Sequence, residues 1–525
     1  MIITTITIQD LRLAWFRLKQ DRMDGGPDWR KRSFVNHPYL ISLIEDDLDV
    51  WLSNILTKLH SGYHPNSSVL CQVPKASWMI RNAEIITLED EVVFNAVLAK
   101  LHQDIWKRIG LFQGDPDIAY QLQPPSEDQQ WIKSGLVVWE EFREKSLLEL
   151  QKGAQYVLFA DITAFYDNID LRQLRSDLND LEAENSLVQT LMDFLTKWDF
   201  PRGRGIPQGY SSSDILAKIY MFTIDQTLLH EGFRHLRYVD DIRIFCKNES
   251  EAKKALLVLN KILHEKNLSL QSAKTIIYST EDARREILSV VSLIQGFQKQ
   301  MKKELSMDPY VSSHEVEVLI KQSPDKLPAD FFEGIFREYL LDKKVKFNKT
   351  IFRYVIHRLA DTKSNIAIDY CLDVLVEHPE ETEDVLRYLS AIAVRDEQLG
   401  KLLAYMKSQD ALYDYQLYQI VSWFFERKTC PPTLLSLCLD WARNKNKAPW
   451  LRTYSIALLG LFGARAELDM IRGLYSVAST DIEKAEIVIA LKRLETSQRN
   501  AFYNQVIADG ELIKRAVVKT KGTSN

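Results

Sequence analysis

The stretch Arg234-His235-Leu236-Arg237-Tyr238-Val239-Asp240-Asp241-Ile242-Arg243-Ile244-Phe245-Cys246-Lys247 decides how this chain is read. Two β-rich runs, Arg234 to Val239 and Ile242 to Lys247, meet at Asp240-Asp241, the composition of a tight hairpin. Upstream, Tyr156-Val157-Leu158-Phe159-Ala160 is a nearly continuous apolar run, as expected of a strand buried on both faces, and Asp161 ends it. Leu171 to Leu181 and Ser186 to Trp198 read as helices. The Gly/Pro-rich loop Pro201-Arg202-Gly203-Arg204-Gly205-Ile206-Pro207-Gln208-Gly209 separates them from a helix over about Ser212 to Glu231. Beyond the hairpin, Glu249 to Lys266 reads as an amphipathic helix and Thr275 to Ser279 as a strand. Strand, helices, hairpin, helix, strand is the order of a ferredoxin-like βαββαβ sheet.

That order gives three aspartates a common place. Alone, Asp161 has a helix N-cap as its lesser reading, and Asp240 with Asp241 read first as ordinary turn residues. Together they converge on one sheet edge, because Asp161 ends a central strand and the pair sits at the tip of the neighbouring hairpin. Converging carboxylates repel unless protonated or bridged by a hard cation, and oxygen donors suit Mg2+. Two Mg2+ ions roughly 3.5–4 Å apart would activate a 3′-hydroxyl and stabilise a leaving pyrophosphate.

The surrounding residues resemble the reverse transcriptases. Asp161-Ile162-Thr163-Ala164-Phe165-Tyr166-Asp167 is similar to motif A of that family. Gly205-Ile206-Pro207-Gln208-Gly209, followed by Ser213 and Leu216-Ala217, resembles motif B; Tyr238-Val239-Asp240-Asp241 resembles motif C. Lys274 stands where a motif D lysine would lie, and Pro74-Lys75 with Arg81 and Asp90 is similar to the fingers motif. All occur in family order over about residues 65–280. The resemblance implies catalysis and metal binding by Asp161, Asp240 and Asp241. It implies substrate binding by Lys75, Arg81, Tyr166, Gln208, Gly209 and Lys274. Tyr166 would crowd a ribose 2′-hydroxyl and favour deoxynucleotides. Lys75 and Arg81 would hold the triphosphate.

The rest of the chain extends the expectation. Residues 1–150 read as mostly helical, with a strand-like Ser68 to Val73 and a polar loop around Pro116 and Pro124 to Asp128. Beyond about residue 300 amphipathic helices recur: Asn365 to Val376, Thr382 to Val394, Gln398 to Met406, Leu417 to Arg427 and Thr433 to Asn444. Leu451 to Phe462, Leu468 to Ala478 and Ile482 to Glu495 continue the series, and the tail from Lys519 is expected to fray. The expected fold is α+β, with right-hand polymerase fingers and a ferredoxin-like palm followed by an all-α HEAT-like helical-repeat domain; a plain helical bundle is the alternative. Expected divisions are an N-terminal region with fingers over 1–150, a palm over 151–300 and the helical domain over 301–525.

Composition narrows the function classes. A 46% hydrophobic and 26% charged chain has globular proportions, and no apolar run reaches the roughly 18 residues of a membrane span. The start Met1-Ile2-Ile3-Thr4-Thr5 lacks the basic region and apolar core of a signal peptide. Five scattered cysteines show no CxxC pair, which suits a reduced, cytoplasmic compartment. A net charge of −5 confines any nucleic-acid contact to a local basic groove and sets the chain apart from the strongly basic group II intron maturases. No integrase, RNase H or HNH pattern follows the palm. Its palm motifs and helical C-terminal half resemble the bacterial abortive-infection and defence-associated reverse transcriptases. That resemblance implies deoxynucleotides and nucleic acid as partners, a homo-oligomer and a role against phage, with template-free, protein-primed synthesis as one option. Any of Tyr413, Tyr415, Tyr418, Tyr454 or Tyr503 is more ordinarily a half-buried packing residue than a primer. An RNA-templated enzyme of a mobile element, or a polymerase-shaped scaffold, remains the alternative.

Overall fold

The computed structural model describes residues 2–23, 35–124, 131–132, 135–199, 203–288, 296–297, 329–342 and 346–522. The loop residues 125–128, the Pro201-Arg202 pair, the expected boundary at 300 and the last three residues lie outside these. The chain divides into two compact units. One comprises Met1–Val35, Asp47–Leu70 and Asn82–Leu288; the other comprises Asn36–Asp46, Cys71–Arg81 and Ser289–Asn525.

In the first unit, β3 (Tyr156–Asp161), β4 (Arg234–Tyr238), β5 (Asp241–Cys246) and β6 (Ile276–Ser279) form one sheet in the order β4-β5-β3-β6. β3 pairs antiparallel with both β5 and β6, which makes it a central strand. Its Val157 and Leu158 are fully buried on opposite faces, so the uninterrupted apolar run has a core on each side. Against one face pack Val138, Phe142 and Leu150 of the helix Gly135–Gln151, with Ala283 and Ile287. On the other side run the helices Ser211–His230 and Glu249–Glu265. Asn248 caps the second of these by accepting from the Glu251 N–H at 2.9 Å. Strand order, pairing and the two intervening helical regions make this a βαββαβ sheet. A separate hairpin joins β1 (Val69–Lys75) to β2 (Met79–Ile85), with residues 71–81 belonging to the second unit.

The second unit is helical among its described residues after 328. Alternate helices pack on one another along the chain: Lys349–Asp361 on Thr382–Ala391, then Asp414–Glu426, Pro449–Phe462, Asp481–Ala490 and Glu511–Gly522. Helices Ala329–Tyr339, Lys349–Asp361, Thr496–Val506 and Glu511–Gly522 were not expected from the sequence. The last of them runs to Gly522, so residues 519–522 of the tail expected to fray are helical; burial of Val517 and Thr520 holds them. Segment Asn36–Asp46 is held by polar contacts within this unit. The Asn36 N–H donates to the Tyr418 hydroxyl at 2.8 Å and the Tyr39 N–H to Glu486 Oε1 at 3.2 Å, while Lys519 pairs with Asp46 at 2.7 Å.

Candidate active site

The β3–β5 register sets Asp161 directly opposite Asp241. Directly opposed residues share a face, with Cβ atoms roughly 4.5–5.5 Å apart. Asp240 follows Val239 in the two-residue turn joining β4 to β5, and the Ile162 N–H donates to the Asp240 carbonyl at 3.3 Å. The turn is costly. Val239 is β-branched yet has φ +56°, a left-handed conformation that ordinarily falls to glycine. All three aspartates therefore reach one end of the sheet.

Electrostatics at this edge are those of crowded negative charge. Burial first, then the charges of Asp240 and Asp161, pushes the Asp241 carboxyl up to about 6, against the pull of Lys274 and Arg243. Lys274 Nζ donates to Asp161 Oδ1 at 2.8 Å. Its burial works to lower its pKa, but the hydrogen bond to Asp161 and the charges of all three aspartates raise it on balance. Arg243, beneath Asp241, lies 4.1 Å from the Phe142 ring centroid and donates to Ser146 Oγ at 2.8 Å. Burial lowers that guanidinium to about 10, with the Asp241 charge opposing.

Do these residues suit a divalent cation? The donors are hard oxygens, and their mutual repulsion would be relieved by positive charge. Among the described residues, however, no three or more His, Cys, Asp or Glu side chains are gathered at metal-holding spacing. The set fits an ion that takes one or two carboxylates and completes its shell with water and substrate phosphate oxygens, the usual manner of Mg2+.

Tyr166 lies on the short helical turn Phe165–Asn168 that follows β3, with its ring buried. Its hydroxyl donates to Asp214 Oδ1 at 2.5 Å. Burial, then the Asp214 charge, raises its pKa well above the usual phenol value. The Gly-rich loop is stitched to this same segment. The Leu171 N–H donates to Gly203 O (3.2 Å), Gly205 N–H to Ile169 O (2.9 Å) and Ile206 N–H to Tyr166 O (3.1 Å). Gln208 and Gly209 follow at the entry to helix Ser211–His230, where Gly209 has φ +92° and needs the freedom of glycine. Lys75 ends β1 and is exposed; Arg81 is half-buried on β2. Asp90, grouped with the fingers motif, is fully buried and accepts from Tyr63 Oη (2.7 Å), Thr87 Oγ1 (2.7 Å) and the Asn66 N–H (3.1 Å), the setting of a helix-start anchor.

Sequence reading missed several neighbours. Tyr120 and Asp214 border Tyr166, and Glu84 of β2 shares a small cleft with Asp167 and Gly205. Burial, then Asp199 and Asp167, pushes Glu84 up to about 8. One signal was available: the charged residues Asp214, Lys218 and Asp225 of this helix fall at spacings of four and seven, which places them on one face.

Residues 95–319 match the family described as "Reverse transcriptase (RNA-dependent DNA polymerase)". No curated protein matches the chain. Among solved structures, the apo telomerase of Candida tropicalis truncated from its C-terminal domain is similar at 15% identity and a TM-score of 0.32, over 44% of this chain and 55% of that one. Telomerase from Candida albicans in complex with a TWJ fragment of telomeric RNA is similar at 12% identity and a TM-score of 0.34, over 68% of this chain and 62% of that one. The chain thus spans less than two thirds of either telomerase. No helix among the described residues is long and apolar enough to cross a membrane. Over residues 95–319, then, the chain carries a reverse transcriptase domain, the domain of an RNA-directed DNA polymerase and hence of a nucleotidyltransferase.

Proposed function

We propose that this protein is a DNA polymerase that joins deoxynucleotides by two-Mg2+ nucleotidyl transfer, with Asp161, Asp240 and Asp241 as the metal-binding carboxylates. The observation that carries the reading is the register pairing of Asp161 with Asp241 beside the Asp240 turn, inside the matched domain. Bound cations would favour ionisation of a 3′-hydroxyl and offset charge on the departing pyrophosphate. The chain's own groups do the rest. The family resemblance assigns the triphosphate to Lys75 and Arg81, the incoming nucleotide to Gln208 and Gly209, and the exclusion of a ribose 2′-hydroxyl to the Tyr166 ring. Lys274, paired to Asp161, is poised to exchange that carboxylate for a phosphate oxygen.

The same reading extends to the whole protein. Alternate packing of successive helices supports a HEAT-like repeat in the C-terminal region. Likeness of the motif A and motif C segments to those of defence-associated enzymes supports a bacterial, cytoplasmic, homo-oligomeric protein acting against phage. Synthesis without added template or primer, with labelled product that runs with the protein and is released by protease, is the outcome expected of protein priming. Synthesis only on a supplied RNA template and primer would place the protein in the templated branch.

The deciding test is Asp240→Ala with Asp241→Ala in the full chain, assayed for incorporation of labelled deoxynucleotides with Mg2+. Incorporation should fall at least about a hundredfold, the several kcal/mol that metal-ion stabilisation supplies, with the far-ultraviolet circular dichroism unchanged. Synthesis retained in a folded double variant removes the carboxylate assignment.

A further inference from the structure

One guanidinium ties the turn that carries Asp240 to a buried ionic cluster. Arg237, on β4, is 2% exposed. Its Nε donates to Asp225 Oδ1 at 2.9 Å and its Nη2 to Asp225 Oδ2 at 2.6 Å, a forked grip on the helix Ser211–His230. Nη2 also reaches Asp117 Oδ2 at 3.1 Å. His235 Nε2 lies 3.1 Å from Asp225 Oδ1. Lys218 pairs with Asp117 and donates to the Ala119 carbonyl at 2.9 Å. The remaining nitrogen, Arg237 Nη1, donates to the carbonyl of Val239 at 3.1 Å.

That last bond falls on the strained residue of the turn. Val239 at φ +56° is strained backbone for a β-branched residue, which persists only where the surroundings enforce it. A small cavity borders the turn, lined by Phe165, Asp214 and Val239 among others. Stability alone does not account for the cluster, because well-packed apolar residues commonly match a buried ion network. What apolar residues could not do is hold a carbonyl.

We propose that Arg237 is a positioning residue: its guanidinium, anchored on Asp225 and Asp117, fixes the Val239–Asp240 peptide plane and so aims the Asp240 and Asp241 carboxylates. The proposal rests on the reading that these carboxylates hold a divalent cation. Lysine could not replace it, since one ammonium cannot fork onto Asp225 while also holding the Val239 carbonyl.

The test compares full-length wild type, Arg237→Lys and the Asp240→Ala/Asp241→Ala double variant. Mn2+ binding is followed by electron paramagnetic resonance without nucleotide, beside thermal unfolding and the kcat and KM for deoxynucleotide. Arg237→Lys, while folded, should weaken Mn2+ binding about tenfold, the lower end of effects for residues that orient metal ligands. Its kcat should fall in step, with KM moving much less. Wild-type Mn2+ affinity and kcat in folded Arg237→Lys overturns the proposal, including when its melting temperature drops, since that is what a purely structural arginine would give. Where Arg237→Lys does not fold, Asp225→Asn keeps one acceptor for the fork and should shift both readouts in the same direction; unchanged Mn2+ affinity there overturns the proposal. Binding that is lost in the double variant but kept in Arg237→Lys sinks the proposal alone. Wild type that binds no Mn2+, or a double variant that binds it equally well, overturns the cation-site reading and the proposal with it.

Discussion

At the scale of single residues, the site concentrates groups that the rest of the fold would not tolerate. Val239 takes a conformation that its side chain disfavours, and Asp241 has its carboxyl raised to about 6 by burial and its two acidic neighbours. A folded pKa raised above the unfolded value makes this group's contribution to stability complete at low pH and lost as pH rises through about 6, so near neutrality Asp241 is a standing cost. A cation bound at that edge would offset it. Tyr166 was legible from its spacing five residues after Asp161, but its tie to Asp214 was not, because Asp214 lies 48 residues away on another helix. That tie separates bulk from hydroxyl. Tyr166→Ala should raise ribonucleotide use relative to deoxynucleotide by about tenfold or more, a steric effect of the size that lost side-chain bulk produces. Tyr166→Phe should keep the selectivity while costing about 1–3 kcal/mol of stability at a buried carboxylate that loses a donor. Competition kinetics and denaturant unfolding measure the two; unchanged selectivity in Tyr166→Ala removes the gate.

Among the elements, periodicity was the reliable guide. The β3 run and the β4–β5 hairpin were readable because an apolar run bounded by a polar turn is a local signal. Their observed limits, Tyr156–Asp161, Arg234–Tyr238 and Asp241–Cys246, differ by one residue or so from the expected ones. The buried charges of helix Ser211–His230 were harder to interpret, because their partners Asp117 and Arg237 come from other elements. Close helix packing was not readable at all. Gly460, within helix Pro449–Phe462, sits so near Ala490 of helix Asp481–Ala490 that a Cβ there would meet Ala490 Cα at 2.5 Å. In a free helix Gly→Ala stabilises by roughly 0.5–1 kcal/mol. Here the sign should reverse. Gly460→Ala is expected to cost about 1–3 kcal/mol, as overpacking against backbone does, and to lower the melting temperature of the full chain. A stabilised Gly460→Ala protein would mean the two helices part freely.

For the whole molecule, chain order and spatial order diverge. The helical unit draws in Asn36–Asp46, which depends on Tyr418, Thr453 and Glu486 for its polar contacts. Burial pushes Glu486 up to about 8 and His37 down to about 4, so both are largely neutral near pH 7. A chain ending near residue 300 would strip these partners away. Its residues 36–46 should become sites of limited proteolysis, and its soluble yield should fall; a truncation as protease-resistant there as the full chain would show the segment to be self-sufficient. The sequence by itself determined the βαββαβ order, the hairpin and the three aspartates, because period-two and period-3.6 patterns and turn composition are properties of neighbouring residues. Only the tertiary structure decided that Asp161 faces Asp241, that Arg237 holds the Val239 carbonyl and that an N-terminal segment completes the helical unit. Each of those depends on residues brought together across long stretches of chain, where burial and paired charge, not local preference, choose the partner.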